Sequence, residues 1–303
     1  MNREQEHHHH HAPPDFNRAF LVGVILNVTF VVVEVFFGLM SNSLALLTDA
    51  GHNLSDVLGL VLAWGAAVLA QKTPSLRRTY GYSRATILAS LMSGLLLLAA
   101  VGAIAWEAVG RLFAPVQPAG LTIMLVAAVG VLINTATALM FVRGKDHDLN
   151  VRGAFLHMAA DAAVSLGVVI SGALILWQGW AWVDPVISLV IAGVILWSTW
   201  DLLRDSLNLA VDAVPPKIDP QAVRAYLEGL PDVAGLHDLH IWALSTTDSA
   251  LTAHLVMVPM PDSDRFLNEV ADSLRQRFGI SHATIQLERG EQDVTCPQHH
   301  CAH

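Results

Sequence analysis

Six long apolar segments restrict what this chain can become. They run approximately over Arg18–Met40, Leu44–Ala70, Ala85–Phe113, Leu121–Val142, Arg152–Trp177 and Trp182–Leu209. At 1.5 Å of rise per residue, each reaches across a bilayer core of about 30 Å. Helices at the surface of soluble proteins carry a charged face, and these segments have almost none. Only 14% of the 303 residues are charged and 53% are hydrophobic, whereas soluble domains carry about 25% charge. The reading is a membrane domain of six helices. A net charge of −9, with histidines neutral, argues against nucleic acid as a partner.

Lysine and arginine in short loops set the orientation. The link after the second span carries Lys72, Arg77, Arg78 and Arg84, and the link after the fourth carries Arg143, Lys145 and Arg152. The links Ser41–Ser43 and Gln178–Ala181 carry none, and Trp177, Trp180 and Trp182 stand where an outer aromatic belt belongs. Both termini are therefore expected on the cytoplasmic side of the cell's inner (plasma) membrane. Residues 1–17 form a polar arm without the basic region and small-residue site of a cleaved signal peptide. His7–His11 within it reads either as a purification tag or solvated tail, or as a metal-gathering arm.

At Val214-Pro215-Pro216 the composition changes, and two prolines end the sixth helix. The transmembrane domain is assigned to 18–212 and a cytosolic domain to 213–290. Asp219-Pro220 reads as an N-cap with proline at the first helical position, opening a helix to about Gly229. Leu236–Leu244 and Leu251–Val258 alternate like strands. Asp262 or Ser263 caps a helix whose Phe266, Val270, Leu274 and Phe278 share a face, and Ala283–Glu288 is a third strand. This αββαβ order is an α+β arrangement, expected as an antiparallel sheet with helices on one face. Residues 291–303 are a polar tail in which Cys296, His299, His300 and Cys301 offer thiolates and imidazoles suited to zinc, cadmium or copper(I).

Ionisable groups inside the spans are the chemically telling residues, because charge at the bilayer centre is costly. His52 and Asp56 lie four apart in the second span, on one helical face. The same H-x-x-x-D pattern returns at His157 and Asp161 in the fifth. Two imidazoles and two carboxylates are the ligand set of a tetrahedral zinc site. Asp49, three residues before His52, reads as a helix–helix hydrogen-bonding group, an outer carboxylate supporting the ligands, or part of an exit path. Asn27, Glu34, Glu107 and Asn134 are the other costly groups, Glu107 pairing with Arg111 four residues on. Asp184 before Pro185 reads as a helix N-cap.

Ser43–His52 with Asp56, Tyr80-Gly81-Tyr82-Ser83-Arg84-Ala85, His157–Asp161, Asp184-Pro185 and His237-Asp238-Leu239-His240-Ile241-Trp242 occur in this order. Together they resemble the cation diffusion facilitator family, in its zinc-transporting branch, over roughly residues 16–290. The resemblance implies a homodimer of six-span protomers with a cytosolic ferredoxin-like (αββαβ) domain, exporting divalent metal from the cytosol in exchange for protons, with transport ligands on His52, Asp56, His157 and Asp161. Histidine at the first of these positions is associated with zinc-preferring members. The resemblance also places zinc at His237 and His254 in the cytosolic domain, with His240 and His282 as further candidates. Where some members use His and Asp on the last strand, this chain has Gln286 and Glu288. The loop Gln71–Thr79, a metal site in some members, has neither Asp nor His. Thr86 stands where glutamate is common.

Other classes fit less well. An intramembrane metalloenzyme needs an open metal position and a general base, as in H-E-x-x-H, and no such motif occurs. A proton-independent metal channel and a membrane-anchored metal sensor remain as alternatives to an antiporter.

Overall fold

In the computed structural model, residues 16–114, 116–142 and 149–290 are described. The helices are α1 (Phe16–Met40), α2 (Leu44–Ala70), α3 (Ala85–Phe113), α4 (Gly120–Phe141), α5 (Leu149–Gln178), α6 (Val183–Ala210), α7 (Pro220–Glu228) and α8 (Ser263–Phe278). The strands are β1 (Val233–Ala243), β2 (Ser249–Met257) and β3 (His282–Arg289). Five of the helices, α2 to α6, are long and apolar enough to cross a membrane, and the described apolar part of α1 is Ile25–Met40. Helix α5 begins at Leu149, three residues before the expected Arg152. A helix continues its own hydrogen bonds past the point where hydrophobicity falls, so charge in the first turn does not mark its start.

The described residues fall into two compact units, the first within 1–57 and 97–196 and the second within 58–96 and 197–303. The first unit is a helical bundle. Its core joins Phe30 of α1, Leu46 of α2, Val101 of α3, Ile123 and Ala127 of α4, Val168 and Ile175 of α5, and Ile191 and Ile195 of α6. Helices α4 and α5 approach most closely through glycine. A Cβ on Gly172 would lie 2.6 Å from the Met124 nitrogen, and one on Gly120 would lie 2.8 Å from the Gly172 oxygen.

The α1–α2 hairpin explains its own sequence. Asn42 adopts a left-handed conformation with φ 52°, which asparagine tolerates. The Ser43 amide then donates to the Gly38 carbonyl at 3.0 Å and the Asn42 amide to Leu39 at 3.3 Å, closing α1 with a Schellman pattern. Ser43 caps α2 in turn, its hydroxyl accepting from the Leu46 amide at 3.2 Å.

Asp184 is indeed a cap, but of another helix than expected. Its carboxylate accepts from the Ser43 hydroxyl at 2.6 Å and the Leu44 and Ala45 amides at 2.7 and 3.3 Å. It thus satisfies the free N–H groups and the positive end of α2 rather than of its own α6. Asp184→Ala would leave these buried donors without an acceptor, at about 1–3 kcal/mol each. We expect thermal unfolding in detergent to move several degrees lower, with Asp184→Asn recovering part; an unchanged midpoint would refute the capping role.

In the second unit a three-stranded sheet in the order β1-β2-β3 is covered on one face by α7 and α8. Leu251, Ala253, Leu255 and Met257 of β2 enter this core with Val223, Leu227, Val270 and Leu274 from the helices. Asp219 caps α7 as its sequence implies, accepting from the Gln221 amide at 2.9 Å. The sheet differs from the antiparallel expectation. β1 and β2 are antiparallel, but β3 runs parallel to β2. The cause is the crossover: α8 carries the chain back along the sheet, so the next strand starts from the same end as β2.

Candidate metal centres

The first centre is built by α2 and α5. His52 and Asp56 are one turn apart on α2, and His157 and Asp161 one turn apart on α5. His52 Nε2 lies 3.6 Å from Asp56 Oδ2 and 3.3 Å from Asp161 Oδ1. His157 Nε2 lies 3.2 Å from Asp56 Oδ2 and 3.7 Å from Asp161 Oδ2. Imidazole and carboxylate therefore alternate around a ring of four. Asp56, His157 and Asp161 place ligand atoms within 4.8 Å of one another. His52 touches both carboxylates from the far side of the ring, its centroid 6.1 Å from that of His157. Tetrahedral zinc with bonds of about 2.0–2.1 Å needs ligand atoms about 3.3 Å apart. The four observed edges lie near that separation, with His52 meeting Asp161 at Oδ1 and His157 meeting it at Oδ2.

Burial is uneven around the ring. Asp161 is 3% exposed and His52 13%, whereas Asp56 is 33% and His157 45% exposed. The centre is thus closed on the Asp161 side and open on the His157 side.

Asp49 stands apart from the four. It is fully buried and accepts from the Ser165 hydroxyl of α5 at 2.8 Å. The hydrogen-bonding alternative raised for it holds in that respect, and it ties together the two helices that carry the ring. Asn27 reaches the Met158 sulfur at 4.0 Å, and Glu107 pairs with Arg111 at 3.1 Å as the spacing implied.

The second centre lies on the sheet face opposite α7 and α8. His237 and His254 are directly paired across β1 and β2. Glu288 reaches both from β3: His237 Nε2 is 2.9 Å from Glu288 Oε2, and His254 Nδ1 is 3.0 Å from Glu288 Oε1. The ligand atoms of this trio also lie within 4.8 Å of one another. Gln286, registered opposite His254, turns its amide to Glu288 at 2.8 Å. It steadies the carboxylate that the neighbouring glutamate supplies.

The structure does not bring His240 and His282 into this trio. The ladder shifts between His237 and His240, and His240 lines an open cavity with Arg84, Asp212 and Trp242. His282 pairs opposite Ala250 and sets its ring against Tyr80. Asp238, which sequence reasoning passed over, connects the two histidine sets. It occupies the irregularity in β1 with φ 54°, is buried, and lies 2.9 Å from His240 Nε2 and 3.6 Å from His254 Nε2. The available signal was an aspartate, a residue that tolerates left-handed backbone, between two strand histidines. The tail residues Cys296, His299, His300 and Cys301, and the run His7–His11, lie outside the described residues.

Burial pushes the Glu288 carboxyl up, but the hydrogen bond to His237 and the charges of His237 and His254 outweigh it. Its ionisation is held below the usual carboxylate range. A depressed folded value means that the stabilisation is complete above the unfolded value, about 4.3, and is lost as pH falls through the folded one. We therefore expect amide exchange along β2 of the zinc-free protein to accelerate below about pH 4.3, and Glu288→Gln to flatten that dependence. A variant with the wild-type pH profile would refute this.

Residues 20–209 match the model of the cation efflux transmembrane domain, and residues 215–290 match that of the cation efflux protein cytoplasmic domain. The chain belongs to the cation efflux family. These are the cation diffusion facilitators that the motifs resemble, and the chain is accordingly a multi-pass membrane protein of a transporter family. It is 34% identical to "Zinc transporter ZitB" of Pectobacterium atrosepticum, over 94% of this chain and 88% of that one. It is 37% identical to "Metal cation efflux system protein CzcD" of Cupriavidus metallidurans, over 91% and 88%. A "Cadmium, cobalt and zinc/H(+)-K(+) antiporter" of Bacillus subtilis is 33% identical over 89% and 88%. Among solved structures, the metal-bound C-terminal domain of the CzcD transporter from Cupriavidus metallidurans is 36% identical, covering 23% of this chain and 99% of that one, at a TM-score of 0.22.

Proposed function

We propose that this cation efflux protein exports Zn²⁺ from the cytosol in exchange for protons, with His52, Asp56, His157 and Asp161 as the transport ligands. The observation that carries the reading is the alternating ring, whose N···O edges of 3.2–3.7 Å suit a tetrahedral ion. The relatives named as zinc transporters and as a cadmium, cobalt and zinc antiporter support the same cargo, and leave cadmium and cobalt as further substrates.

Proton coupling follows from the donors themselves. An imidazole must be neutral and a carboxylate ionised to hold zinc, so each proton bound removes a ligand. Facing a near-neutral cytosol, the ring takes the ion; facing an acidic exterior, protonation displaces it. Alternating access at one site near the midplane then converts a proton gradient into zinc export. In this reading both termini are cytoplasmic, in the inner (plasma) membrane, and the protein works as a homodimer. Zinc at His237, His254 and Glu288 draws the two cytosolic domains together and raises transport when cytosolic zinc is high. The cytoplasmic-domain match at 215–290 supports that division of labour.

The deciding experiment uses proteoliposomes with zinc and pH reported on opposite faces. Zinc movement that follows an imposed pH gradient, with protons moving the other way, is expected. Zinc flux without proton movement would make the protein a channel, and no flux would make it a sensor.

A further inference from the structure

The sheet face that carries His237, His254 and Glu288 also carries His240, which the trio does not use. His237 pairs with His254 across β1 and β2, and His240 pairs with Thr252. Directly paired residues share a face, and residues two apart on β2 share one, so His237 and His240 look the same way. In a regular strand residues three apart point to opposite faces. The extra residue of a bulge makes the difference, and Asp238 takes its left-handed φ of 54° there. Backbone outliers of this kind gather where side chains are aimed for a purpose.

Asp238 reaches two imidazoles. Its Oδ1 lies 2.9 Å from His240 Nε2 and its Oδ2 lies 3.6 Å from His254 Nε2, with the aspartate side chain only 8% exposed. These separations bracket the distance of about 3.3 Å between two ligands of one tetrahedral zinc. His254 turns its other ring nitrogen to Glu288: Nδ1 is 3.0 Å from Oε1, yet it is buried and makes no hydrogen bond. One imidazole therefore stands between two carboxylates, one at each nitrogen. A neutral imidazole has a single lone pair, so it can hold an ion on one side at a time. His240 is the open end of the array, 52% exposed and lining a cavity of about 620 Å³ with Trp242 and Thr252. Arg84 in the same cavity is paired with Asp212, so its charge is already balanced.

We infer that Asp238, His240 and Nε2 of His254 form an outer position for a divalent metal ion, alternative to the inner position at His237, Nδ1 of His254 and Glu288. Two imidazoles, one carboxylate and a water from the cavity make a four-coordinate shell for zinc. An ion arriving through the cavity binds at the outer position first. It moves inward when His254 changes the nitrogen it offers. The inference rests on the reading of His237, His254 and Glu288 as a zinc site.

Cobalt(II) is the probe, since it accepts the same donors and absorbs visible light when four-coordinate. The full-length protein in detergent, carrying Asp56→Ala and Asp161→Ala to disable the membrane ring, serves as the parent. On this parent Glu288→Gln disables the inner position, and is expected to leave an ion at the outer one, held about tenfold more weakly or worse. Adding His240→Ala should remove that ion. So should Asp238→Asn, which keeps a residue tolerant of left-handed backbone and so preserves the bulge. With Glu288 intact, His240→Ala should slow the growth of the cobalt band several-fold after mixing. Equal cobalt binding by the Glu288→Gln protein with and without His240→Ala and Asp238→Asn, or an unchanged loading rate in His240→Ala, would overturn the inference. A Glu288→Gln protein that binds cobalt as tightly as its parent would instead overturn the zinc reading of the trio beneath it.

Discussion

Replacing Asp161 with alanine is expected to abolish zinc-driven proton movement in proteoliposomes while leaving the protein folded. Asp161 is the most buried member of the ring and, like Asp56, approaches both His52 and His157. Its loss removes one of the four proposed ligands. It also leaves two imidazoles with one acidic neighbour, Asp56, which is a third exposed. Loss of an outer-shell partner costs a metal site about 10–100-fold in affinity, and loss of a buried ligand costs more. Asp161→Asn separates charge from shape, because the amide fills the same space but is a poor zinc ligand. Both variants should lack flux in parallel assays of zinc and proton movement. Asp56→Ala should behave the same way through the opposite corner. Wild-type flux from either Asp161 variant would sink the four-ligand assignment.

The ring was legible in the sequence because its logic is local. A histidine and an aspartate one turn apart in an apolar segment are costly unless they have a use, and the pattern occurs twice. The αββαβ order was legible for a related reason, since a cap such as Asp219 and a helix face such as Phe266, Val270, Leu274 and Phe278 are local signals. What stayed hidden depends on residues far apart in the chain. Asp184 caps α2 from 140 residues away, which no local pattern reports. Glu34 finds its hydrogen-bond donor in Asn53 on another helix. The direction of β3 follows from how α8 crosses the sheet, while strand periodicity is the same for parallel and antiparallel neighbours. Asp238 lies where β1 loses its register, and a strand pattern assigns no role to the residue that breaks it.

Gly172→Ala is expected to be nearly as damaging as loss of a ligand, although Gly172 lies three turns from Asp161 on α5. Its Cβ would fall 2.6 Å from the Met124 nitrogen and 2.8 Å from the Gly120 oxygen. Both are backbone atoms of α4, so no side chain can turn aside to relieve the contact. The reciprocal glycine is equally confined, because a Cβ on Gly120 would lie 2.8 Å from both the Gly172 oxygen and the Leu176 nitrogen. In an exposed helix a glycine-to-alanine change stabilises by about 1 kcal/mol. Here overpacking, which costs about 1–3 kcal/mol even where side chains can adjust, opposes it against a rigid neighbour. The helices must separate, and α5 carries His157 and Asp161 with it while His52 and Asp56 stay on α2. Edges of 3.2–3.7 Å do not survive a shift of 1 Å as a zinc ring. The variant should therefore show both a lower unfolding midpoint in detergent and weakened zinc binding. Gly102→Ala on α3, where a Cβ meets nothing within 4 Å, is the control that should retain both. If Gly172→Ala keeps wild-type stability and zinc affinity, close α4–α5 contact does not position the ring.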